Sequence, residues 1–306
     1  MIYIDDSIMK KGENATAGSK ILKNFISPFD AAVVTRLGEE ARHKSLCEFG
    51  LGNPGSLNFI CDDGDALLCN DIFGFVRRQA VRDKLFYIRP TYGTVSRYGL
   101  IPTASSMDQI GIVCKSPQKG FLVLSKISGH DENDGAMFLE KNYSFSAKTE
   151  KITVRAFDEK LPALNVSEQV LHILAYAEIC ANISRYDGIK FGPCEIDYRS
   201  LDGFYKKIRS EFAYETKLAA IMGSALLSGI NYTKYYEKAM KIRRLIKDAL
   251  VFDSDQVLKV NEEGCHFAVL SGLPSLAFSH NGSYTELIAK AKNESALLSA
   301  WEALEK

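Results

Sequence analysis

The sequence predicts an α/β fold, a mixed sheet covered by helices, on three observations. Short apolar runs punctuated by Gly, Pro and Ser recur through residue 158; helical periodicity takes over from Ser167 for about ninety residues; and strand-like runs return near residues 256 and 275. The expected organisation is a single domain over 1–306. Its strand-rich half spans 1–158, and its mainly helical half, 159–306, ends with a late core strand.

In chain order, the apolar runs Ala31 to Val34, Leu57 to Cys61, Leu85 to Ile88, Ile110 to Cys114 and Ile152 to Val154 read as strands. A helix is predicted from Pro117 to about Gly129, capped by Ser116, with Pro117 at the first position, where its missing N–H is harmless. Phe121, Leu122, Leu124 and Ile127 give it one apolar face for a sheet. Ser167 reads as the N-cap of a helix carrying Val170, Leu171, Leu174, Ala177, Ile179 and Ile183, ended by Asp187-Gly188. Further helices are expected at about 201–212, 215–228 and 231–250. The last carries Lys and Arg along one side, a face that reads as solvated surface, with local RNA contact as the sharper alternative. Strands are expected at Gln256 to Val260 and Ser275 to Phe278, and an amphipathic helix over Tyr284 to Leu304.

Composition narrows the function classes. Lys plus Arg and Asp plus Glu are 38 each in 306 residues, so no net field draws the chain to DNA, RNA or an anionic membrane, and any tRNA contact would be indirect. The longest apolar stretches fall short of the roughly 20 residues that span a bilayer. The N-terminus lacks the basic start of a secretory signal, so the expected address is cytoplasmic, without a membrane anchor. Seven cysteines, at 47, 61, 69, 114, 180, 194 and 265, form no C-x-x-C pair, and the five histidines are scattered; neither a disulfide frame nor a metal or other cofactor is expected. Cys47, Cys61 and Cys69 read as structural thiols, Asp62-Asp63-Gly64-Asp65 as a surface turn, and Arg77-Arg78 with Arg82 and Lys84 as a solvated charged edge.

One block is more specific. Arg89-Pro90-Thr91-Tyr92-Gly93-Thr94-Val95-Ser96-Arg97-Tyr98-Gly99-Leu100, followed by Ser105-Ser106-Met107-Asp108-Gln109-Ile110-Gly111, closely resembles a block of the amidase signature family, and within it the A subunits of tRNA-dependent Glu/Asp amidotransferases. Asp5-Asp6-Ser7-Ile8 with Thr16 to Asn24-Phe25, then Glu48-Phe49-Gly50-Leu51-Gly52, Ile221-Met222-Gly223 and Gly272-Leu273-Pro274 continue the likeness over most of the chain. The resemblance implies the amidase signature fold and an ancestry in amide hydrolysis that supplies ammonia for Gln-tRNA formation, alongside partner subunits B and C.

The family hydrolyses amides with a Lys from K-D-N, a bridging serine from G-G-S-S-G-G-S, and a nucleophilic serine from D-T-G-G-S-I-R-Q-P-A, with glycine-rich backbone donors for the oxyanion. In the matching register Asp5 stands at the Lys position, Phe75 at the nucleophile and Phe73 at one of the glycines; Asp71, Gly74 and Arg77 are kept. The loop Gly52 to Ser56 is what remains of the bridging-serine segment, with Ser56 at its last serine. Leu218-Ala219 replace a substrate-binding Arg pair, and Leu171 replaces a Tyr. Relative to the family, the N-terminal helices and the segment after Gly272-Leu273-Pro274 are shortened, so part of the large fold is not expected here.

The retained residues are scaffold: Pro90, Thr91, Tyr92, Gly93, Ser96, Arg97, Asp108 and Gln109. The expected role is a pseudo-amidase, either an accessory subunit docking on B or C, or a truncated paralogue with no independent role. An active amidase with a non-standard site, or a new ligand over an apolar floor made by Phe73 and Phe75, are the further alternatives.

Overall fold

The computed structural model describes residues 1–62, 64–147, 152–157, 162–193 and 200–305. Asp63 of the acidic turn, Cys194 and the expected boundary at 158/159 lie outside the described residues.

In chain order the strands are β1 (Ile2–Asp5), β2 (Ala41–Lys44), β3 (Ala66–Asn70), β4 (Phe86–Arg89), β5 (Ile110–Cys114), β6 (Thr153–Ala156), β7 (Gln256–Val260), β8 (Ser275–His280) and β9 (Ser283–Ala289). The helices are α1 (Ala32–Leu37), α2 (Phe59–Asp62), α3 (Phe75–Arg82), α4 (Pro117–Ile127), α5 (Ser167–Ile183), α6 (Leu201–Ser210), α7 (Tyr214–Leu226), the single turn α8 (Gly229–Asn231), α9 (Glu237–Ala249), α10 (Phe267–Ser271) and α11 (Glu294–Leu304). A π-helical stretch, Tyr232–Tyr236, joins α8 to α9.

The described strands form one sheet in the order β2-β1-β3-β5-β4-β8-β9-β7-β6. It is mixed: β1 runs parallel to β2 and β3, β6 parallel to β7, and the other neighbours are antiparallel. In β3 and β5 all five residues are buried, as expected of central strands covered on both faces. Alternating side chains sort the core. Ile4, Leu68, Ile88, Ile112 and Leu287 face a cluster with α1, α4 and α11. On the other face, Leu67, Tyr87 and Val113 meet α3, while Leu258 and Ile288 meet the cluster of α5, α7, α9 and α10.

Four expectations are corrected. Ala31 to Val34 enters a helix, because Val33, Val34 and Leu37 bury one helical face and Gly38, at φ +63°, ends the run. Leu57 to Cys61 ends in the turn α2, with Leu57 and Ile60 three residues apart and both buried. Ser167 is the first helical residue of α5 rather than its cap, since a 3-10 turn at Leu164–Val166 leads into it. Tyr284 to Leu304 splits into β9 and α11. Asn281 and Gly282, at φ +53° and +76°, make a two-residue turn that folds β9 back on β8, where both neighbouring strands satisfy its backbone. The helix from Pro117 stands as expected: Ser116 accepts from the Lys119 N–H, and the helix ends at Ile127.

Candidate active-site region

β1 and β3 are parallel neighbours, so the segments leaving their C-terminal ends emerge side by side. One end carries Asp5, the other Asp71, and the chain after Asp71 enters α3 at Phe75 through Gly74, whose φ of +83° is in the left-handed region that favours glycine. Asp71 ties this turn down: one carboxylate oxygen accepts from the Val76 N–H at 3.3 Å, the other from the Arg77 N–H at 3.2 Å and from Arg77 Nε at 3.0 Å. Arg77 is fully buried. Its Nη1 donates to the Cys265 carbonyl at 2.9 Å and to Glu286 Oε1 at 3.3 Å, and the Tyr284 hydroxyl donates to Glu286 Oε2 at 2.6 Å. Burial alone would push this guanidinium down, but Asp71 and Glu286 hold it well above its ordinary value, so it stays charged. Buried Arg89 donates to the Asp71 and Met107 carbonyls. This network locks the start of α3 to β4, β9 and the turn before α10.

Asp5 is buried, and its carboxylate accepts from the Ser7 hydroxyl and from the Leu46 N–H at 3.3 Å. Burial, reinforced by Asp6, pushes its pKa up to about 7. Next to Leu46, the Cys47 thiol donates to the Gly52 carbonyl at 3.2 Å; burial first, with Asp5, Asp71 and Glu215 adding, pushes it up to about 12. Cys69 is buried and also raised. A thiol held this way carries no thiolate near neutral pH. Glu48 binds this corner to the helical half, accepting from Ser19 Oγ, the Ala213 N–H and Thr216 Oγ1.

Phe73 and Phe75 do not leave an open floor. The Phe73 ring lies 5.0 Å from that of His172 and 5.8 Å from that of Tyr176, both on α5, and Phe75 packs beside it under the Arg78 guanidinium. Ser56 is elsewhere: its hydroxyl faces Asp83, which caps the far end of α3 and also accepts from the Leu57 N–H at 2.6 Å. An eight-residue helix, about 12 Å long at 1.5 Å per residue, therefore separates Ser56 from Phe75. Asn53 closes the short loop by accepting from the Gly55 N–H. Asp5 and the Asp71 turn that leads into Phe75 thus leave neighbouring strand ends, and Ser56 does not join them.

The block from Pro90 to Gln109 is built into the core. Thr91 donates through N–H and hydroxyl to Glu294 of α11, at 2.9 and 2.6 Å. Tyr92 and Arg97 form one unit: Arg97 donates to the Tyr92 hydroxyl at 2.6 Å, stacks over its ring at 4.9 Å, and forms a two-pronged pair with Asp134 at 2.9 and 2.7 Å. Ser96 donates to Asp131 at 2.6 Å. Any side chain at Gly93, φ +90°, would meet the Ala136 carbonyl at 2.5 Å. Asp108 accepts from the Asn70 amide and the Thr103 and Ala104 N–H groups, while the Gln109 N–H donates to Asn70 Oδ1. A further polar cluster, Ser106 with Glu178 and Arg243, was not singled out by sequence reasoning, because its members lie on the Ser105-Ser106 loop, α5 and α9.

The sequence model of the amidase family matches residues 68–155, the stretch holding Asp71, Arg77 and the Pro90 to Gln109 block. The Glutamyl-tRNA(Gln) amidotransferase A subunit of Fusobacterium nucleatum subsp. nucleatum is 30% identical over 351 residues, covering 94% of this chain and 70% of that protein. The chain belongs to the amidase signature family. The same protein of Lachnoclostridium phytofermentans is 31% identical over 81% of this chain, which spans 63% of that relative's length. Among solved structures, the Glutamyl-tRNA(Gln) amidotransferase A subunit of Thermotoga maritima superposes with a TM-score of 0.71 at 22% identity, over 97% of this chain and 81% of that one. The peptide amidase of Stenotrophomonas maltophilia gives 0.72 at 18%, over 99% and 81%. These likenesses show a shared amidase signature fold.

The positions expected to have lost the substrate clamp carry apolar side chains. Leu171 and Ala219 are fully buried in the α5–α7 core, and Leu218 is turned outward. Among the described residues no helix is long and apolar enough to cross a membrane.

Proposed function

We propose that this amidase-family chain is a non-catalytic accessory subunit of a tRNA-dependent amidotransferase, cytoplasmic, docking on subunits of the B or C type and meeting tRNA only through them. The observation that carries the reading is Phe75: at the turn entering α3, where the family places its nucleophile, stands a ring with no nucleophilic atom, packed beside Phe73. Asp5 supports it, since no amine stands at the base position and burial keeps part of this carboxyl group, near neutral pH, in the proton-bound form that cannot accept a proton. Ser56, held at the other end of α3, supports it too. The surrounding thiols are raised rather than activated, which disfavours a substitute cysteine nucleophile. The scaffold residues Thr91, Arg97 and Asp108, each held by several hydrogen bonds, maintain the fold without this chemistry.

The test is an affinity purification of the tagged full chain from its native cells, with co-purifying proteins identified by mass spectrometry. Stoichiometric recovery of amidotransferase subunits is expected; recovery of chaperones alone would overturn the accessory role.

A further inference from the structure

Helix α7 carries two apolar stripes. The inner one, Ala219, Gly223 and Leu226, packs on α5 so closely that a Cβ on Gly223 would lie 2.2 Å from the Tyr176 carbonyl oxygen. The outer one, Tyr214, Leu218, Ile221 and Ala225, repeats at 4-3-4 spacing, the period of a seam between helices, yet Tyr214 is 74% exposed and Ile221 68%. A helix apolar on both sides belongs between two packed layers. Met222 and, past the end of α7, Ile230 at 82% exposure extend the face, and a groove of about 560 Å³ between α5 and α7, lined by His172, Ile173, Met222, Leu226 and Tyr235 with Glu168 as its one charged group, runs beside it. An apolar face this continuous marks an interaction surface.

Its surroundings are net basic. From the start of α6 to the end of α9 there are ten Lys and Arg against three Glu and two Asp, although the whole chain is neutral. Lys206 and Arg244 pair with Asp202 and Asp248, which leaves Lys217, Lys234 and Lys238 among the basic groups near this face that form no ion pair with a described residue. Two copies of this face would set like charges against each other, which disfavours self-association and favours an acidic partner.

We propose that the outer face of α7, continued by Ile230 and Tyr235, docks an acidic amphipathic helix of a partner protein. This deepens the accessory-subunit reading and rests on it for the existence of a partner. The apolar side of the incoming helix covers Leu218, Ile221 and Met222, and its Asp and Glu flanks meet Lys217, Lys234 and Lys238.

The test places a photo-crosslinking phenylalanine analogue at Ile221, at Ile230 and, as a control across the sheet, at exposed Leu122 of α4 in the full chain, irradiates native cells, and sequences the crosslinked peptides. Crosslinks from 221 and 230, but not 122, to one amphipathic segment with excess Asp and Glu are expected. With that partner purified, Ile221→Glu should weaken binding at least tenfold at an unchanged melting temperature, and added salt should weaken the unmodified complex. A crosslink to a second copy of this chain, to a non-acidic segment, or none from either position would overturn the proposal. Amidotransferase subunits crosslinked only from Leu122 would remove this surface and leave the accessory reading standing; an acidic helix of an unrelated protein would keep the surface and remove that reading.

Discussion

Replacing Arg77 by Met is expected to destabilise the fold by about 3–5 kcal/mol, the usual cost of removing one partner from a buried ion network. The guanidinium is fully buried between Asp71 and Glu286, with further bonds to the Ile72 and Cys265 carbonyls. Its loss strands two carboxylates away from water and frees the turn that Asp71 holds at the start of α3. With typical domain stabilities of about 5–15 kcal/mol, this is a large fraction of the whole. Urea unfolding should show a lower midpoint at similar slope, and Arg78→Met, which removes a partly exposed guanidinium, should cost about 1 kcal/mol or less. If Arg77→Met is too unstable to isolate, Arg77→Lys, which keeps the charge and loses the fork, should fall between the two. Equal midpoints for the Arg77 and Arg78 variants would contradict the network's role.

The second large effect concerns pH. Asp5 has its proton held from the ordinary 3.8 up to about 7, chiefly by burial and then by Asp6. The folded chain therefore binds more protons than the unfolded one between those values. Stability from this group is fully present below about pH 4, is lost as pH rises through about 7, and is flat above. At about 1.4 kcal/mol per tenfold, the ionised group costs the fold about 4 kcal/mol. Asp5→Asn keeps an acceptor for the Ser7 hydroxyl and cannot ionise. Subtracting the two unfolding curves should therefore give a stability difference that grows in favour of the variant by as much as about 4 kcal/mol between pH 4 and 8. Parallel curves would show that Asp5 ionises freely.

These two residues also illustrate what was legible in the sequence. Asp71, Arg77 and the run from Arg89 to Gly111 were readable because buried, multiply bonded polar residues tolerate little change, and their spacing survives with them. The partners that satisfy them, Glu286, Tyr284 and Glu294, were not, since they sit about two hundred residues away and come into place only when β8 pairs with β4 and β9 folds back on β8. The Asn281-Gly282 dipeptide was the available signal for that hairpin, and the helical spacing read across Tyr284 to Leu304 masked it. Short strands such as β1 and β2 have too few residues for a period to show, and their pairing is set by neighbours distant in sequence. At the site, Asp5 and Phe75 could be placed by register. That Ser56 is drawn to the far end of α3 by Asp83 follows only from the fold.

On the proposed reading, Asp5 and Phe75 at the former base and nucleophile positions, with Ser56 at the far end of α3, leave no route to an activated nucleophile. The most direct test is ammonia release from glutamine and from a panel of simple amides by the purified full chain, with Phe75→Ser measured alongside. Release no faster than the protein-free control is expected for both proteins, because a serine at 75 would still lack the family's amine base and its bridging serine. Release that scales with the concentration of the unmodified chain would contradict it.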